Sequence, residues 1–155
     1  GLFQNCCSIC EKDLMFCRCE NLTSLDVSRF DTQKIKSFVS VFGSCKKLKS
    51  IDVSSWNTEN ALSMYGMFMD CESLETIDLS GFDIPELEPY YDEISIFTGC
   101  DMLQEIKCPL HLTEDILLPE TLSSEENLWE IEGVSGVYYK TLPKNLNESV
   151  VLRLL

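Results

Sequence analysis

The 155-residue chain is long enough for one domain with a substantial core, and its 45% hydrophobic content excludes a disordered chain. A formal charge of −14 makes nucleic acid and anionic membrane surfaces unfavourable partners, and it is explained either by a solvated, exposed surface or by a partner with cationic groups. The chain has no apolar run of about 18 residues or more, so we expect no membrane insertion. The acidity is concentrated in residues 70–132, which hold eighteen Asp or Glu side chains and a single lysine.

Residues 1–18 are predicted to be a partial N-terminal repeat or cap that is rich in cysteine. Together with the first residue of the next segment, these cysteines form a cluster of Cys6, Cys7, Cys10, Cys17 and Cys19. Its number and spacing of thiols are compatible with a structural zinc site, with a disulfide inside the cluster, or with free thiols in a cysteine-rich half-repeat. These three interpretations stay open.

From Cys19 onward the sequence repeats every 26 residues. Like residues recur in columns: Cys19, Cys45 and Cys71; Leu22, Leu48 and Leu74; Leu25, Ile51 and Ile77; Val27, Val53 and Leu79; Phe30, Trp56 and Phe82. A further start follows at Cys100, after a three-residue insertion. We assign leucine-rich repeats to 19–109, as 19–44, 45–70, 71–99 and a partial repeat at 100–109.

Each unit shows two different apolar spacings. Residues 25 and 27 alternate with polar residues and are expected to point inward from a strand, while residues 24, 26 and 28 face outward. Ile35, Phe38 and Phe42 then recur at i, i+3 and i+7, which is typical of one face of a helix. The pattern predicts an α/β leucine-rich-repeat solenoid, built from short parallel strands and short helical segments that stack to bury their apolar faces.

Residues 110–155 leave the repeat and are predicted to form a non-repeat C-terminal cap. Segments 128–132 and 137–141 flank a glycine-containing turn and predict a hairpin, and residues 150–155 predict a last strand. His111, the sole histidine, is expected to be a surface residue. Without a recognisable catalytic constellation or phosphate-binding glycine loop, we predict that the protein is not an enzyme and needs no cofactor.

The repeat columns resemble the 26-residue repeat of bacterial surface proteins, the BspA-like branch of the leucine-rich repeats. The segments that carry the resemblance are CENLTSLDVSRFDT with VFGSC, CKKLKSIDVSSWNT with MFMDC, and CESLETIDLSGFDI with IFTGC. It covers residues 15–109. The resemblance implies a secreted or cell-surface protein that takes part in adhesion or partner contact, and it implies no catalytic residue.

The outward strand positions form the predicted partner-binding face. Its rows are Ser24, Ser50, Thr76 and Glu105; Asp26, Asp52, Asp78 and Lys107; Ser28, Ser54 and Ser80. Like charges on neighbouring strands repel each other, so the Asp row is either relieved by a cationic partner or metal ion, or stabilised by local hydrogen bonds and screening water. Small polar and acidic rows fit a glycan or a basic peptide better than an apolar ligand.

One cysteine column runs through the repeats, at Cys19, Cys45, Cys71 and Cys100. Because cysteine is a small and frequently buried side chain, we predict that these four are reduced thiols packed in the core. Cys108, which replaces a core valine of the first unit, is expected to be buried as well.

We therefore expect an extracellular or cell-surface leucine-rich-repeat module that binds a protein or a glycan. Two alternatives stay open: a structural spacer that displays other domains, and an intracellular protein–protein interaction module.

Overall fold

The computed structural model describes residues 15–87, 95–113, 115–119, 129–144, 146 and 148–155. Within them the chain forms short strands and no helix. The strands are β1 (Ser50–Asp52), β2 (Thr76–Asp78), β3 (Asp83–Ile84), β4 (Glu105–Lys107), β5 (His111–Leu112), β6 (Trp129–Ile131), β7 (Tyr138–Tyr139) and β8 (Val151–Leu154). The described part of the chain thus holds no helix that could cross a membrane.

Six strands form one mixed sheet in the order β1-β2-β4-β8-β6-β7. Strands β1, β2 and β4 are parallel and pair in register, with Ile51 beside Ile77 and Ile77 beside Ile106. Strand β8 is antiparallel to both β4 and β6, and β6 is antiparallel to β7. Strands β3 and β5 form a separate parallel pair. The large sheet is therefore parallel where the sequence repeats and antiparallel at its C-terminal end.

The prediction of an α/β leucine-rich-repeat solenoid is wrong, because the described residues form a mixed sheet and contain no helix. In a helix, each backbone N–H would donate to the carbonyl four residues earlier. In the segment that follows the strand position of a repeat, every second backbone N–H donates instead to a carbonyl of the next repeat. The N–H groups of Phe38, Ser40 and Phe42 bond to the carbonyls of Ser63, Tyr65 and Met67 at 2.8, 3.0 and 2.9 Å.

Successive tight turns explain why the apolar spacing resembled that of a helix. Hydrogen bonds between residues three apart run from the N–H groups of Val41, Gly43 and Cys45 to the carbonyls of Phe38, Ser40 and Phe42. Such turns return a side chain to the core at nearly helical intervals. Left-handed residues at Ser40 (φ 49°) and Ser44 (φ 60°) prevent the turns from continuing as a helix.

One left-handed position recurs directly before each cysteine of the column. Its residues are Arg18, Ser44, Asp70 and Gly99, with φ values of 61°, 60°, 57° and 77°. Glycine alone adopts such values without steric cost, and it stands only at the last of these positions. The turn geometry therefore repeats even where the residue type does not.

The core contains a continuous stack of aromatic rings, one from each repeat. The stack is formed by Phe16, Phe42, Phe68 and Phe97, with successive ring centroids 5.5, 5.4 and 6.0 Å apart and interplanar angles of 6°, 7° and 11°. Pairs of this kind contribute about 0.5–1.5 kcal/mol beyond the burial of their area. Stacking of the rings therefore adds to the free energy that holds successive repeats together.

Two buried threonine hydroxyls also join neighbouring repeats. Thr32 Oγ1 donates to the Asn57 carbonyl at 2.9 Å and accepts the Asn57 N–H at 2.8 Å. Thr58 makes the same two bonds with Asp83, at 2.6 and 3.0 Å. Because each hydroxyl both donates and accepts, its burial leaves no polar group unpaired.

The C-terminal segment forms strands at both places where the sequence indicated them. Strands β6 and β7 make the expected hairpin around residues 133–136, and β8 lies within the expected last strand. Buried Trp129 and Leu152 belong to the same core as the repeats. His111 is exposed, and its strand β5 pairs with β3 of the third repeat. The division into 1–18, 19–109 and 110–155 stays a prediction.

Candidate functional site

The outward residues of β1, β2 and β4 lie side by side on one exposed face. Register aligns Ser50, Thr76 and Glu105 in one row and Asp52, Asp78 and Lys107 in the next. Between the rows, Ile51, Ile77 and Ile106 point inward and are at most 6% exposed. We call these six outward residues the outer strand face.

The first repeat has the residues of these rows in its sequence, but it adds no strand to the sheet. Ser24, Asp26 and Ser28 are exposed, as expected, but lie outside any strand, and β1 is the edge of the sheet. The sheet therefore brings together three of the four residues predicted for each of the first two rows.

Each Asp of the second row is bonded to the serine two residues later. Asp52 Oδ1 accepts the backbone N–H of Ser54 at 3.0 Å and the Ser54 hydroxyl at 2.6 Å. The same two bonds join Asp26 to Ser28 and Asp78 to Ser80. The third predicted row, Ser28, Ser54 and Ser80, therefore consists of donors that fix the Asp side chains.

These hydrogen bonds favour the ionised carboxylates. The Ser54 hydroxyl and then its N–H hold the pKa of Asp52 below its ordinary value of 3.8, and Ser28 does the same for Asp26. The charges of Asp78 and Asp26 act in the opposite direction on Asp52 but do not reverse the shift. Repulsion along the row is therefore real but smaller than the local stabilisation, which supports the structural explanation for the Asp row.

Asp78 differs because it is partly buried. Burial raises its pKa, but the Ser80 hydroxyl, the Ser80 N–H and Lys107 together outweigh burial, so the pKa is lowered overall. Lys107 Nζ lies 3.1 Å from Asp78 Oδ2. The last position of the row thus supplies an ion-pair partner for Asp78.

Basic side chains pair with the acidic ones only at the β4 end of the outer strand face. Beside the Lys107 pair, an Arg153 guanidinium nitrogen lies 3.3 Å from Glu105 and 3.1 Å from Glu132. Asp52, in contrast, forms no ion pair with any described residue. The surface around Asp52 is therefore where a partner's cationic group would be most favoured. Arg153 was missed by sequence reasoning because it lies on β8, outside the repeat.

The cysteine column is reduced and buried in three of its four positions. Sγ of Cys45, Cys71 and Cys100 donates to the carbonyl of Phe16, Phe42 and Phe68 at 3.2, 3.2 and 3.1 Å. Burial raises the pKa of Cys45 and of Cys100 to about 12, and it raises the pKa of Cys71 as well. These thiols are packing groups, since the reactive thiolate is negligible at neutral pH.

The prediction of a reduced thiol is wrong at Cys19, which is disulfide-bonded. Cys19 is as buried as the later members of its column, at 3% exposure, so burial did not decide which of these cysteines is oxidised. Cys108 is a buried free thiol, as expected. Cys19 is one of the cluster residues, and its disulfide removes it from the thiolates available to a zinc ion. Cys6, Cys7 and Cys10 lie outside the described residues.

A family described as "Mycoplasma protein of unknown function, DUF285" matches residues 5–106, more than half of the chain. No curated protein and no solved structure matches the chain. The match spans the repeats and ends within β4, before the antiparallel strands begin.

Proposed function

This chain belongs to the family of Mycoplasma proteins of unknown function, DUF285, and we propose that it is a non-catalytic interaction module that binds a cationic segment of a protein partner on its outer strand face. The observation that carries the proposal is the position of Asp52, an exposed carboxylate that lies beside Asp78 and has no ion pair among the described residues.

The rigidity of this face supports binding. Neighbouring strands lie about 4.8 Å apart, so polar side chains repeat at a fixed spacing that an extended peptide can follow. The inward isoleucines anchor each strand, and the serine bonds hold each Asp side chain in one orientation. A face that is ordered before binding loses less side-chain entropy when a partner docks.

Charge supports a cationic partner. The whole chain carries −14, so a basic segment is attracted over a long range before contact is made. Complementary charge of this kind increases the association rate and excludes anionic competitors. A glycan, which the hydroxyl rows also fit, depends less on charge and is therefore distinguished by the salt dependence of binding.

We also propose that the protein acts at or outside the cell surface. Cys19 is disulfide-bonded, and disulfides persist chiefly in oxidising compartments. The three later thiols of the column are free, and each donates to a backbone carbonyl of the preceding repeat. Labelling of intact cells with a membrane-impermeant amine reagent should modify a surface protein, and the absence of label in cells that contain the protein would contradict this placement.

The binding proposal is tested with the triple variant Asp26→Asn, Asp52→Asn, Asp78→Asn, which changes both Asp residues of the outer strand face and the equivalent Asp of the first repeat. Asparagine keeps the Oδ1 acceptor for the serine bonds and removes the charge. With a lysine-rich decapeptide as probe, we expect binding to weaken by about tenfold, or about 1.4 kcal/mol. Isothermal titration calorimetry at low and moderate salt measures the affinity.

A matched control removes the same formal charge elsewhere. Glu59, Glu86 and Glu148 are exposed and lie off the outer strand face, so their replacement by Gln should change the affinity by less than about twofold. Equal losses in the two triple variants would mean that the peptide responds only to net charge. Unchanged binding in the Asn variant would contradict binding on the outer strand face and would favour a structural spacer.

A further inference from the structure

A cleft of about 370 Å³ opens at the first repeat, and none of its lining residues belongs to the outer strand face. Its apolar floor includes Phe38, Val41 and Trp56, all at most 4% exposed. Met15 and Phe30 also line it and are 42% and 36% exposed. This volume falls in the range of clefts that bind small ligands or anchoring side chains.

Phe30 is exposed although its column is a core column. The equivalent residues of the next two repeats, Trp56 and Phe82, are each 2% exposed. Phe30 packs edge-on against Phe16, with ring centroids 5.9 Å apart, and the rest of its side chain stays exposed at the cleft. Large apolar side chains left exposed at one site are typical of surfaces that bind a partner.

Two lysines beside the cleft have no described partner. Lys34 and Lys36 line it, are exposed, and form no ion pair with the described residues. In contrast, Lys46, Lys49, Lys107, Lys144 and Arg153 each lie within 3.3 Å of a carboxylate. In a chain with net charge −14, unpaired cations at an apolar cleft complement an anionic ligand that also carries an apolar group.

The cleft also presents backbone hydrogen-bonding groups. Ser37 forms a parallel bridge to Ser63, through the bond from the Phe38 N–H to the Ser63 carbonyl at 2.8 Å and that from the Ser63 N–H to the Lys36 carbonyl at 3.3 Å. In a parallel ladder, successive residues direct their N–H and C=O groups to opposite sides. The N–H and C=O of Ser37 therefore point away from Ser63, and Ser37 lines the cleft. No backbone group of the described residues bonds to them.

We propose that this cleft binds an extended, acidic peptide segment of a partner protein. The peptide backbone pairs with Ser37, one apolar side chain fills the cleft between Phe30 and Trp56, and flanking carboxylates pair with Lys34 and Lys36. When a peptide adds to a sheet edge as a strand, its backbone hydrogen bonds provide affinity and the pockets for its side chains provide specificity. A fatty acid could satisfy the apolar floor and one lysine, but it has no amide groups to pair with Ser37.

The test uses an acetylated and amidated octapeptide that alternates glutamate with valine or leucine. Trp56 lines the cleft and is one of two tryptophans, so its fluorescence in a Trp129→Phe variant reports occupancy directly. Calorimetry on the unsubstituted protein provides a second measurement that does not depend on the folding of that variant. We expect saturable binding and a shift of the Trp56 emission.

Charge reversal locates the site. The double variant Lys34→Glu, Lys36→Glu should bind the peptide at least about tenfold more weakly. The matched control Lys47→Glu, Lys140→Glu makes the same change at exposed residues that do not line the cleft, and it should change the affinity by less than about twofold. Equal losses of affinity in both double variants would show that the peptide does not bind at the cleft.

Backbone methylation and a lipid probe separate a peptide from other ligands. Methylation of alternate amide nitrogens should weaken the peptide by at least about fivefold, because it removes donors that an added strand needs. Unchanged affinity of the methylated peptide would contradict pairing with Ser37. Binding of dodecanoate without binding of the peptide, or no saturable binding of the peptide at millimolar concentration, would overturn the proposal. None of these outcomes involves the Asp residues of the outer strand face, so the two proposals fail independently.

Discussion

Gly81 allows the third repeat to approach the second more closely than a side chain would permit. A Cβ at this position would lie 1.9 Å from the Ser54 carbonyl oxygen and 2.8 Å from its carbon, both of which are backbone atoms. The sequence shows only that glycine replaces the Ser55 of the preceding repeat. The need for glycine comes from the contact between repeats.

We expect Gly81→Ala to lower the free energy of unfolding by about 1–3 kcal/mol, because backbone atoms must move apart to admit the methyl group. Urea unfolding measures the change. Ser55→Ala, at the equivalent exposed position, should shift it by less than about 0.5 kcal/mol. Equal stability of the two variants would show that the repeats do not approach each other so closely.

At the scale of single elements, the repeats are joined by short ladders whose polar members are buried. Thr58 is 1% exposed, and its hydroxyl bonds to both the carbonyl and the N–H of Asp83. Removing the hydroxyl leaves two backbone groups of β3 without that partner. The free-energy cost of leaving a buried polar group without a hydrogen bond exceeds the net gain from forming that bond.

Thr58→Val should therefore lower the free energy of unfolding by about 1–3 kcal/mol, although the two side chains have nearly the same shape. Thr76→Val makes the same chemical change on the exposed side of β2 and should be close to neutral, within about 0.5 kcal/mol. Denaturant unfolding of both variants gives the comparison. A Thr76 effect as large as that of Thr58 would mean that the inward and outward positions are assigned wrongly.

The repeat elements also explain why one prediction succeeded and another failed. Alternation of Ile51 with Ser50 and Asp52 predicted a strand with the correct faces, because a strand has only one way to bury every second residue. Apolar spacing at Ile35, Phe38 and Phe42 did not distinguish a helix from a chain of tight turns. Both conformations bring these side chains to one side, and only the backbone bonds to the next repeat separate them.

At the scale of the whole molecule, the repeated Asp–Ser units link stability to pH. The folded pKa values of Asp26, Asp52 and Asp78 lie below the ordinary value of 3.8, so the folded protein takes up these protons less readily than the unfolded chain. Their ionisation therefore stabilises the fold above about pH 4, and that stabilisation is lost as the pH falls through the lowered values.

We expect the Tm to fall as the pH drops below about 4, and to fall less in the Asp26→Asn, Asp52→Asn, Asp78→Asn variant, which lacks these three titrations. Circular dichroism melts across this range measure both proteins. The exposed glutamate variant at positions 59, 86 and 148 is the control and should follow the unsubstituted protein. Identical pH profiles for the Asn variant and the unsubstituted protein would show that the serine bonds do not favour the ionised form.

The sequence by itself determined the 26-residue repeat, the inward and outward residues of the repeat strands, and the burial of the cysteine column. These properties follow from local alternation and from columns of like residues, and both can be read along one chain. Tertiary structure alone decided that the intervening segments are turns bonded to the next repeat, that Arg153 and Lys107 neutralise one end of the outer strand face, and that Phe30 is exposed beside two unpaired lysines. Hydrogen-bond partners, ion pairs and exposure depend on which distant residues meet, and a repeat pattern assigns the same environment to every member of a column.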